Sequence, residues 1–463
     1  MQQSFAARLG MLALVMIISW IGPSRAQEMV LPDRLRLPVL QTMAEPDDYS
    51  GLITLVRENR RFVAAIAAEA ARLRPQDIGQ IAGIVVETQP AQAGQVALAL
   101  ARVQPSSVVV VAQLIAQVAP DRAAEIATQS ALTVPRFANQ IAQVVTAAAL
   151  SQDDSQPAAR LSSILTALAQ AESVLPLATV QAVTRATVEV VSSSAEQARA
   201  RGDRANDPYD RMLALLTVII QTVSRETDQP RHLVAQIALR EVLLSLGDIN
   251  PLDRAAFADR AVQRLVLDIA RDIDLGASGG PRDLARLTEA MTRLLPDAVP
   301  YAAMAAGQAV ADSLGSTSIG GGTVDAVARV AGLRAQPVTR QLCAVFAARC
   351  LSVVQLVHQG LTVALLRGER RLAFAVPGPL AGALIDAAVA ANPGGGDTPV
   401  RVAAQAAAAI ALVDPGAAEF AVRGLIEQTS RDQRAGLDRA LRQFLVPVMR
   451  DPGGVFSLLD RSS

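Results

Sequence analysis

The sequence contains no lysine, only two histidines and two cysteines, and few aromatic residues, and each scarcity excludes a class of function. All 43 basic side chains are arginine, and they are balanced by 43 acidic side chains. The chain therefore lacks the clustered positive charge that binds a phosphate backbone, and we expect no nucleic-acid partner. Aromatic residues make up 3% of the chain, too few for the flat rings that stack on sugars or bases.

The two histidines, His232 and His358, limit the catalytic chemistry and the metal sites open to the chain. A histidine-rich metal site cannot be assembled from them, and a Ser-His-Asp triad would have to use one of the two. The sequence contains no G-x-S-x-G motif, and the glycine-rich residues 315–322 lack the lysine of a phosphate-binding loop. We therefore predict a protein that is not an enzyme and that has no catalytic residues, no cofactor and no metal.

The chain has 463 residues, of which 51% are hydrophobic, so it is long enough and apolar enough to bury more than one core. Breaks in pattern and composition divide it into four regions. We predict a signal peptide at residues 1–26, an N-terminal helical repeat array at 27–150, a middle helical region at 151–275, and a C-terminal alanine-rich, solenoid-like region at 276–463.

The N-terminus has the three parts of a secretory signal. Arg8 supplies the positive charge, residues 9–21 are apolar, and residues 24–26 (SRA) form a small-x-small cleavage site before Gln27. The alternative is an uncleaved anchor, but the apolar core has about 13 residues where roughly 20 are needed to span a bilayer. We expect cleavage and a periplasmic or secreted protein.

A second apolar segment, residues 342–366, is long but carries polar side chains throughout, among them Arg349, Gln355 and His358. Each of these is costly in hydrocarbon. The segment therefore predicts a buried helix, and we expect no stable membrane span after the signal peptide is removed.

A proline recurs every fifteen residues in the first third of the chain. The five prolines are Pro75, Pro90, Pro105, Pro120 and Pro135. Counted from each proline, the seventh residue is isoleucine or valine and the eighth is alanine, and the unit before Pro75 keeps this frame without a proline. A fixed period indicates a repeat architecture. The alternative is an irregular helical bundle whose prolines happen to be evenly spaced.

Each fifteen-residue unit is predicted to be one short helix and a turn. Proline is tolerated at the first helical position, and it disfavours helix in the residue before it. Residues four, seven, eight and eleven of the unit fall on one helical face. A helix of ten or eleven residues is marginal alone, so neighbouring helices must cover one another, as in an α-solenoid.

The rest of the chain also predicts helices. Pro379, Pro399 and Pro415 open alanine-rich helical stretches at uneven spacing, and the only candidate strand is at residues 371–376. We therefore predict an all-α fold, made of an α-solenoid-like stack of short helices with a 15-residue repeat and one or more further helical domains.

Cys343 and Cys350 form the candidate disulfide, because export makes a disulfide possible. On an unbroken helix the two residues would lie about 10.5 Å apart along the axis, beyond the reach of a disulfide. Three outcomes stay open. The helix ends near Arg349 and the chain doubles back to form the bond, the pair bridges to a second chain, or both thiols are small buried packing groups.

The densest group of carboxylates contains Asp268, Asp272, Asp274 and Asp283. Calcium prefers oxygen ligands gathered around a loop, but this spacing matches no calcium loop. Arg264 and Arg271 lie within helical reach of Asp268. The sequence therefore favours ordinary surface ion pairs at this position.

We expect the protein to be an exported, non-catalytic helical-repeat scaffold that binds a protein partner or a copy of itself, since solenoids present long surfaces. The first alternative is a periplasmic carrier of an apolar ligand or lipid, which would require a closed apolar cavity. An enzyme with carboxylate chemistry ranks below both and would need two acids converging in a cleft.

Overall fold

The computed structural model describes residues 30–449 and residue 457. The gaps in that range are residues 46–47, 153–155, 172–176, 201–207, 250, 317–323, 369–371, 373–375 and 395–397. The described residues form 21 α-helices and no strand, and 88% of the structure is helical. The predicted all-α class is confirmed, and the predicted signal peptide and most of the candidate strand at 371–376 lie outside the described residues.

The chain divides into two compact units, one that ends at Pro208 and one that begins at Tyr209. The predicted boundaries at residues 150 and 275 stay predictions. The helices of the first unit are α1 Asp33–Thr42, α2 Ser50–Glu58, α3 Val63–Leu73, α4 Ile78–Thr88, α5 Ala93–Val103, α6 Val108–Val118, α7 Ala123–Thr133, α8 Ala138–Leu150, α9 Pro157–Ala171 and α10 Leu177–Ala200.

The second unit contains the remaining helices. They are α11 Pro208–Thr227, whose first residue ends the first unit, α12 Arg231–Ile249, α13 Pro251–Ala270, α14 Gly280–Leu294, α15 Val299–Ser316, α16 Val324–Val345, α17 Cys350–Gly368, α18 Pro377–Ala391, α19 Thr398–Ala411, α20 Pro415–Gln428 and α21 Arg431–Phe444.

Each repeat from α3 to α8 has the same construction, a three-residue 3₁₀ turn that leads directly into an α-helix. In the second repeat, Pro75–Asp77 form the 3₁₀ turn and Ile78 begins α4. Proline therefore opens the 3₁₀ turn, three residues before the α-helix that we expected it to open. The residue before it, Arg74, lies outside the helical region (φ −135°, ψ 75°), because a following proline disfavours helix there.

The residues that the pattern identifies as the repeat signature form the core of the stack. At the seventh position of the six units, Ile66, Ile81, Val96, Val111, Ile126 and Ile141 are each at most 1% exposed, and so are the alanines that follow them. A buried alanine at every eighth position lets the neighbouring helix approach closely, because it carries only one methyl group. The predicted repeat is confirmed.

The repeats are arranged in two layers. Each helix packs most extensively on the helix two places along the chain, so α3, α5, α7 and α9 form one layer and α4, α6, α8 and α10 form the other. Consecutive helices are joined by short turns and lie in different layers. Two fifteen-residue units therefore make one full period of the stack.

Polar side chains tie repeats of the same layer together at the turns. The Gln92 amide donates a hydrogen bond to the carbonyl oxygen of Arg60 (2.5 Å), one full period earlier. Thr179 donates to the Asn139 side chain at 2.7 Å. These bonds satisfy backbone and side-chain groups at the corners, where the helices themselves leave polar groups unpaired.

The second unit repeats the two-layer plan with longer helices. Helices α12, α14, α16, α18 and α20 form one layer, and α13, α15, α17, α19 and α21 form the other. The 3₁₀ corner of the first unit recurs at Pro296–Ala298 and at Ala347–Arg349. The expected solenoid-like character of the C-terminal region is therefore present, although α18 begins at Pro377 and not at Pro379.

Helices α15 and α17 of the second unit pack extensively against each other, and two glycines make their close approach possible. A Cβ atom at Gly307 would overlap the carbonyl oxygen of Val357, and one at Gly360 would overlap the carbonyl oxygen of Met304. The two helix backbones are therefore in direct contact. Any larger residue at either glycine must push the helices apart.

One helix among the described residues, Ala347–Arg367, is long and apolar enough to cross a membrane by length and composition. Its α-helical part is α17, which packs against α15, α16, α18 and α19. The same properties are found in core helices of soluble proteins, so the prediction that the mature chain has no membrane span is not tested by this helix.

We expect Gly360→Ala to destabilise the second unit by about 1 to 3 kcal/mol, because the added methyl group meets the backbone of α15. The matched control is Gly382→Ala in α18, where no atom lies within 4 Å of the new methyl group. That variant should stabilise the unit by about 0.5 to 1 kcal/mol, through the higher helix propensity of alanine. Urea unfolding followed by circular dichroism measures both changes, and equal effects of the two substitutions would contradict the close contact.

Candidate functional site

Cys343 and Cys350 are bonded to each other in the structure, with a Cα–Cα distance of 4.4 Å. Helix α16 ends at Val345, the 3₁₀ turn Ala347–Arg349 reverses the chain, and Cys350 begins α17. This break removes the 10.5 Å separation of an unbroken helix. The bond holds together a turn that begins with Ala347, at the position where proline begins most of the other 3₁₀ turns. Because both sulfur atoms are in the bond, neither is a thiolate that could act as a nucleophile.

His358 is fully buried in α17, on the side of the helix that faces the start of α18. Its Nε2 atom lies 3.4 Å from the carbonyl oxygen of Pro377, and its Nδ1 atom has no hydrogen-bond partner among the described residues. Burial lowers the pKa of His358, and the nearby Asp414 carboxylate offsets this only in part. The ring is therefore neutral near pH 7. Because Cys350 is in the disulfide, the structure forms no Cys–His catalytic pair here.

We expect the stability of the second unit to fall as the pH drops below about 6.5. His358 has a lower pKa in the folded chain than in the unfolded chain, so the unfolded state binds the proton first and acid favours unfolding. The loss should approach about 1.4 kcal/mol per pH unit for one proton. Urea unfolding between about pH 7 and about pH 5 should show this slope, and His358→Gln should remove most of it. His232→Gln is the comparison, because partial burial and the charge of Arg286 also lower the pKa of His232, and this variant should remove only the smaller part of the slope. A slope that His358→Gln leaves unchanged would contradict the assignment.

The four aspartates that the sequence groups together do not converge on one point, and each has its own surroundings. Asp268 pairs with Arg264 (3.4 Å) and with Arg271 (3.3 Å), the two partners that the helical spacing predicts. The Asp274 side chain accepts a hydrogen bond from the backbone of Gly276, and Asp283 lies in the first turn of α14. Across the part of the chain that the structure describes, no three metal-ligating side chains are placed to hold an ion.

A cavity of about 350 Å³ lies beside this loop, and its main feature is a buried arginine. Arg334 in α16 is 6% exposed and donates hydrogen bonds to the carbonyl oxygen and the hydroxyl of Ser313, at 3.0 and 2.8 Å. Burial lowers the pKa of Arg334, and the Asp274 carboxylate partly offsets the effect. The Arg334 side chain therefore links α16 to the C-terminal part of α15 and to the loop before α14. This arrangement stabilises the fold.

A groove of about 410 Å³ lies on the layer formed by α16, α18 and α20. Each helix contributes residues four positions apart. They are Ala328, Arg329, Gly332, Leu333 and Gln336 of α16, Gly378, Pro379, Gly382, Ala383 and Asp386 of α18, and Phe420, Ala421, Gly424, Leu425 and Gln428 of α20. Because α18 lies between the other two helices, its small residues form the floor.

The floor of the groove has space that the described chain does not fill. No atom lies within 4 Å of a Cβ built at Gly382 or at Gly424, although both glycines are inside helices. Glycine inside a helix costs roughly 0.5 to 1 kcal/mol relative to alanine. At Gly307 and Gly360, contact with a neighbouring helix backbone explains why the residue is glycine. At Gly382 and Gly424, nothing within the described chain requires a glycine.

Large apolar side chains form the walls of the groove and are exposed to solvent. Leu333 on α16 is 68% exposed and Phe420 on α20 is 55% exposed. The Phe420 ring lies against Gly378, where a Cβ would collide with it, so the ring is held at one end of the groove. Exposed apolar walls around an empty floor are the features of an interaction site.

The opposite end of the groove is polar and contains Gln336, Asp386 and Gln428. Asp386 has no ion pair or hydrogen bond within the described residues. Its side chain is exposed, yet neighbouring helices partly desolvate the carboxylate, which raises its pKa. The groove therefore has Phe420 and the cation Arg329 toward one end and the carboxylate of Asp386 at the other.

Sequence reasoning missed the groove. The one available signal is isolated glycine within helical patterns, as at Gly332, Gly382 and Gly424, which often has a packing or functional reason. That signal cannot separate a glycine that touches a neighbouring backbone from one that faces open space. The glycine-rich residues 317–323, including the GGG sequence, lie outside the described residues.

Comparison with protein-family models finds no match for the chain, and comparison with curated proteins finds no sequence of significant similarity. Classification therefore follows from the fold. The chain is an all-α protein whose helices form two-layer, solenoid-like stacks, and its first unit contains a fifteen-residue repeat.

Proposed function

We propose that this protein is an exported, non-catalytic scaffold that binds another protein in the groove on α16, α18 and α20. The observation that carries the proposal is the unfilled glycine floor between exposed apolar walls. A chain that places glycine inside two helices loses stability there, and this loss is understandable if the open space receives a partner.

The architecture supports a binding function in a second way. Helices that are two places apart along the chain lie side by side in one layer. The three helices α16, α18 and α20 therefore present one continuous face at the groove. Such a face keeps its shape because α16 and α18 have a layer neighbour on each side, α20 has one on one side, and helices of the other layer pack beneath all three. A partner would therefore meet a preformed surface and would not have to order it.

Export is the second part of the proposal and is supported by the signal sequence at residues 1–26. The disulfide between Cys343 and Cys350 fits a periplasmic or extracellular location, where such bonds persist. The intact mass of the protein from the cell envelope or medium should match a chain that begins at Gln27. It should also be lighter by two hydrogen atoms than the reduced protein. A chain that retains residues 1–26, or that has two free thiols, would contradict this part.

Binding in the groove is tested by site-specific photo-crosslinking in cells. With a photo-crosslinking amino acid at Leu333, we expect one discrete protein adduct, because Leu333 forms a wall of the groove. The same amino acid at Leu132, an exposed leucine of α7 in the first unit, is the matched control and should not give that adduct. The partner is then identified by mass spectrometry and purified for a direct binding measurement.

Filling the groove should abolish this binding. Gly382→Leu places a side chain on the open floor, whereas Gly83→Leu makes the same change at an open glycine of α4 in the first unit. We expect at least a tenfold loss of affinity for the first variant and no change for the second, with both variants folded by circular dichroism. A Leu333 adduct that contains lipid and no protein would overturn the proposal in favour of an apolar-ligand carrier.

A further inference from the structure

The shape of the groove matches one kind of protein segment, an α-helix. Adjacent packed helices have axes roughly 8 to 10 Å apart, so α16 and α20 are about 16 to 20 Å apart across α18. A helix has a diameter of about 10 Å and can lie between the two walls, above the small residues of α18. The floor from Gly378 to Asp386 spans nine residues, a rise of about 12 Å, which equals about two turns of a bound helix.

Small residues on the floor favour a close helix–helix contact. The same chain already uses this contact between α15 and α17, where Gly307 and Gly360 let two helix backbones touch. Gly382 and Gly424 provide equivalent space, but no helix of the described chain occupies it. An apolar helix face laid over these glycines would be covered at its sides by Leu333 and Phe420.

The charge in the groove specifies one feature of that helix. Asp386 is at the polar end and has no ionic partner within the described residues, and its neighbours Gln336 and Gln428 are uncharged amides. The cation in the lining, Arg329, lies about two turns of α16 away from Gln336, toward the opposite end. A bound helix would cover this carboxylate and remove more of its water, which is unfavourable unless the helix brings a cation. A lysine or arginine at that position supplies the complementary charge.

We infer that the groove binds an amphipathic helix of a partner protein, with an apolar face over Gly382 and Gly424 and a lysine or arginine beside Asp386. This inference rests on the proposed function, because it names the partner of the same groove. An extended peptide and an acyl chain are the alternatives, and neither accounts for the combination of a helix-wide floor and a single carboxylate at its end.

The test uses a phage-displayed library of helical peptides, randomised on one face and selected against the full mature protein. Peptides that also bind Gly382→Leu are removed, so those that remain depend on the groove. We expect the retained peptides to share apolar residues three and four positions apart and one lysine or arginine at a fixed position. Selection against Asp386→Arg should instead retain glutamate or aspartate at that position.

Affinity measurements on the selected peptide complete the test. Asp386→Asn should weaken binding by about fivefold to tenfold, since one charge pair in a covered site is lost. Asp283→Asn, which removes an exposed carboxylate of α14 in the same unit, is the matched control and should leave the affinity unchanged. Thermal unfolding of each variant confirms that the fold is retained.

Two outcomes of the peptide selection would overturn the inference. Groove-dependent peptides with no preference for a basic residue would show that Asp386 does not select the partner, while the groove would still bind protein. Selection of no groove-dependent peptide would exclude a helical partner, and the Leu333 crosslink would then decide separately whether the proposed function survives.

Discussion

The structure depends on the close approach of helices that lie two apart in the sequence. Helices of eleven residues have little stability alone, and each one here is held by the flat, alanine-rich contact with its layer neighbours. That contact requires small residues at fixed places. In the first unit the requirement is met by the alanine that follows each buried isoleucine or valine, and between α15 and α17 it is met by Gly307 and Gly360.

The same requirement explains the corners. An eleven-residue helix must stop and reverse within four residues, and the 3₁₀ turn does this with hydrogen bonds three residues apart. Proline fixes the corner at Pro75 and at Pro296 in the two units. Where proline is absent, a side-chain hydrogen bond or a disulfide holds the turn. The Asn59 side-chain amide donates a hydrogen bond to the carbonyl oxygen of Leu55 before α3, and the disulfide joins Cys343 to Cys350 before α17.

Much of the fold could be predicted from sequence, because the repeat has a fixed period and proline, isoleucine and alanine keep fixed places in it. The two-layer arrangement of the second unit was harder to predict, since its helices vary in length and its corners lack a regular spacing. The groove could not be predicted. Gly360 and Gly382 look alike in the sequence, and only the positions of neighbouring helices decide that the first is packed and the second is open.

Alternation between two layers also restricts how such a chain can change in length. Loss or duplication of a single fifteen-residue unit would move every later helix of that stack to the opposite layer, so the exposed side of each helix would lie on the other face of the stack. A pair of units leaves the parity of the stack unchanged. Lineages of this protein would therefore be expected to grow and shrink in steps of thirty residues, with the face that each helix presents preserved.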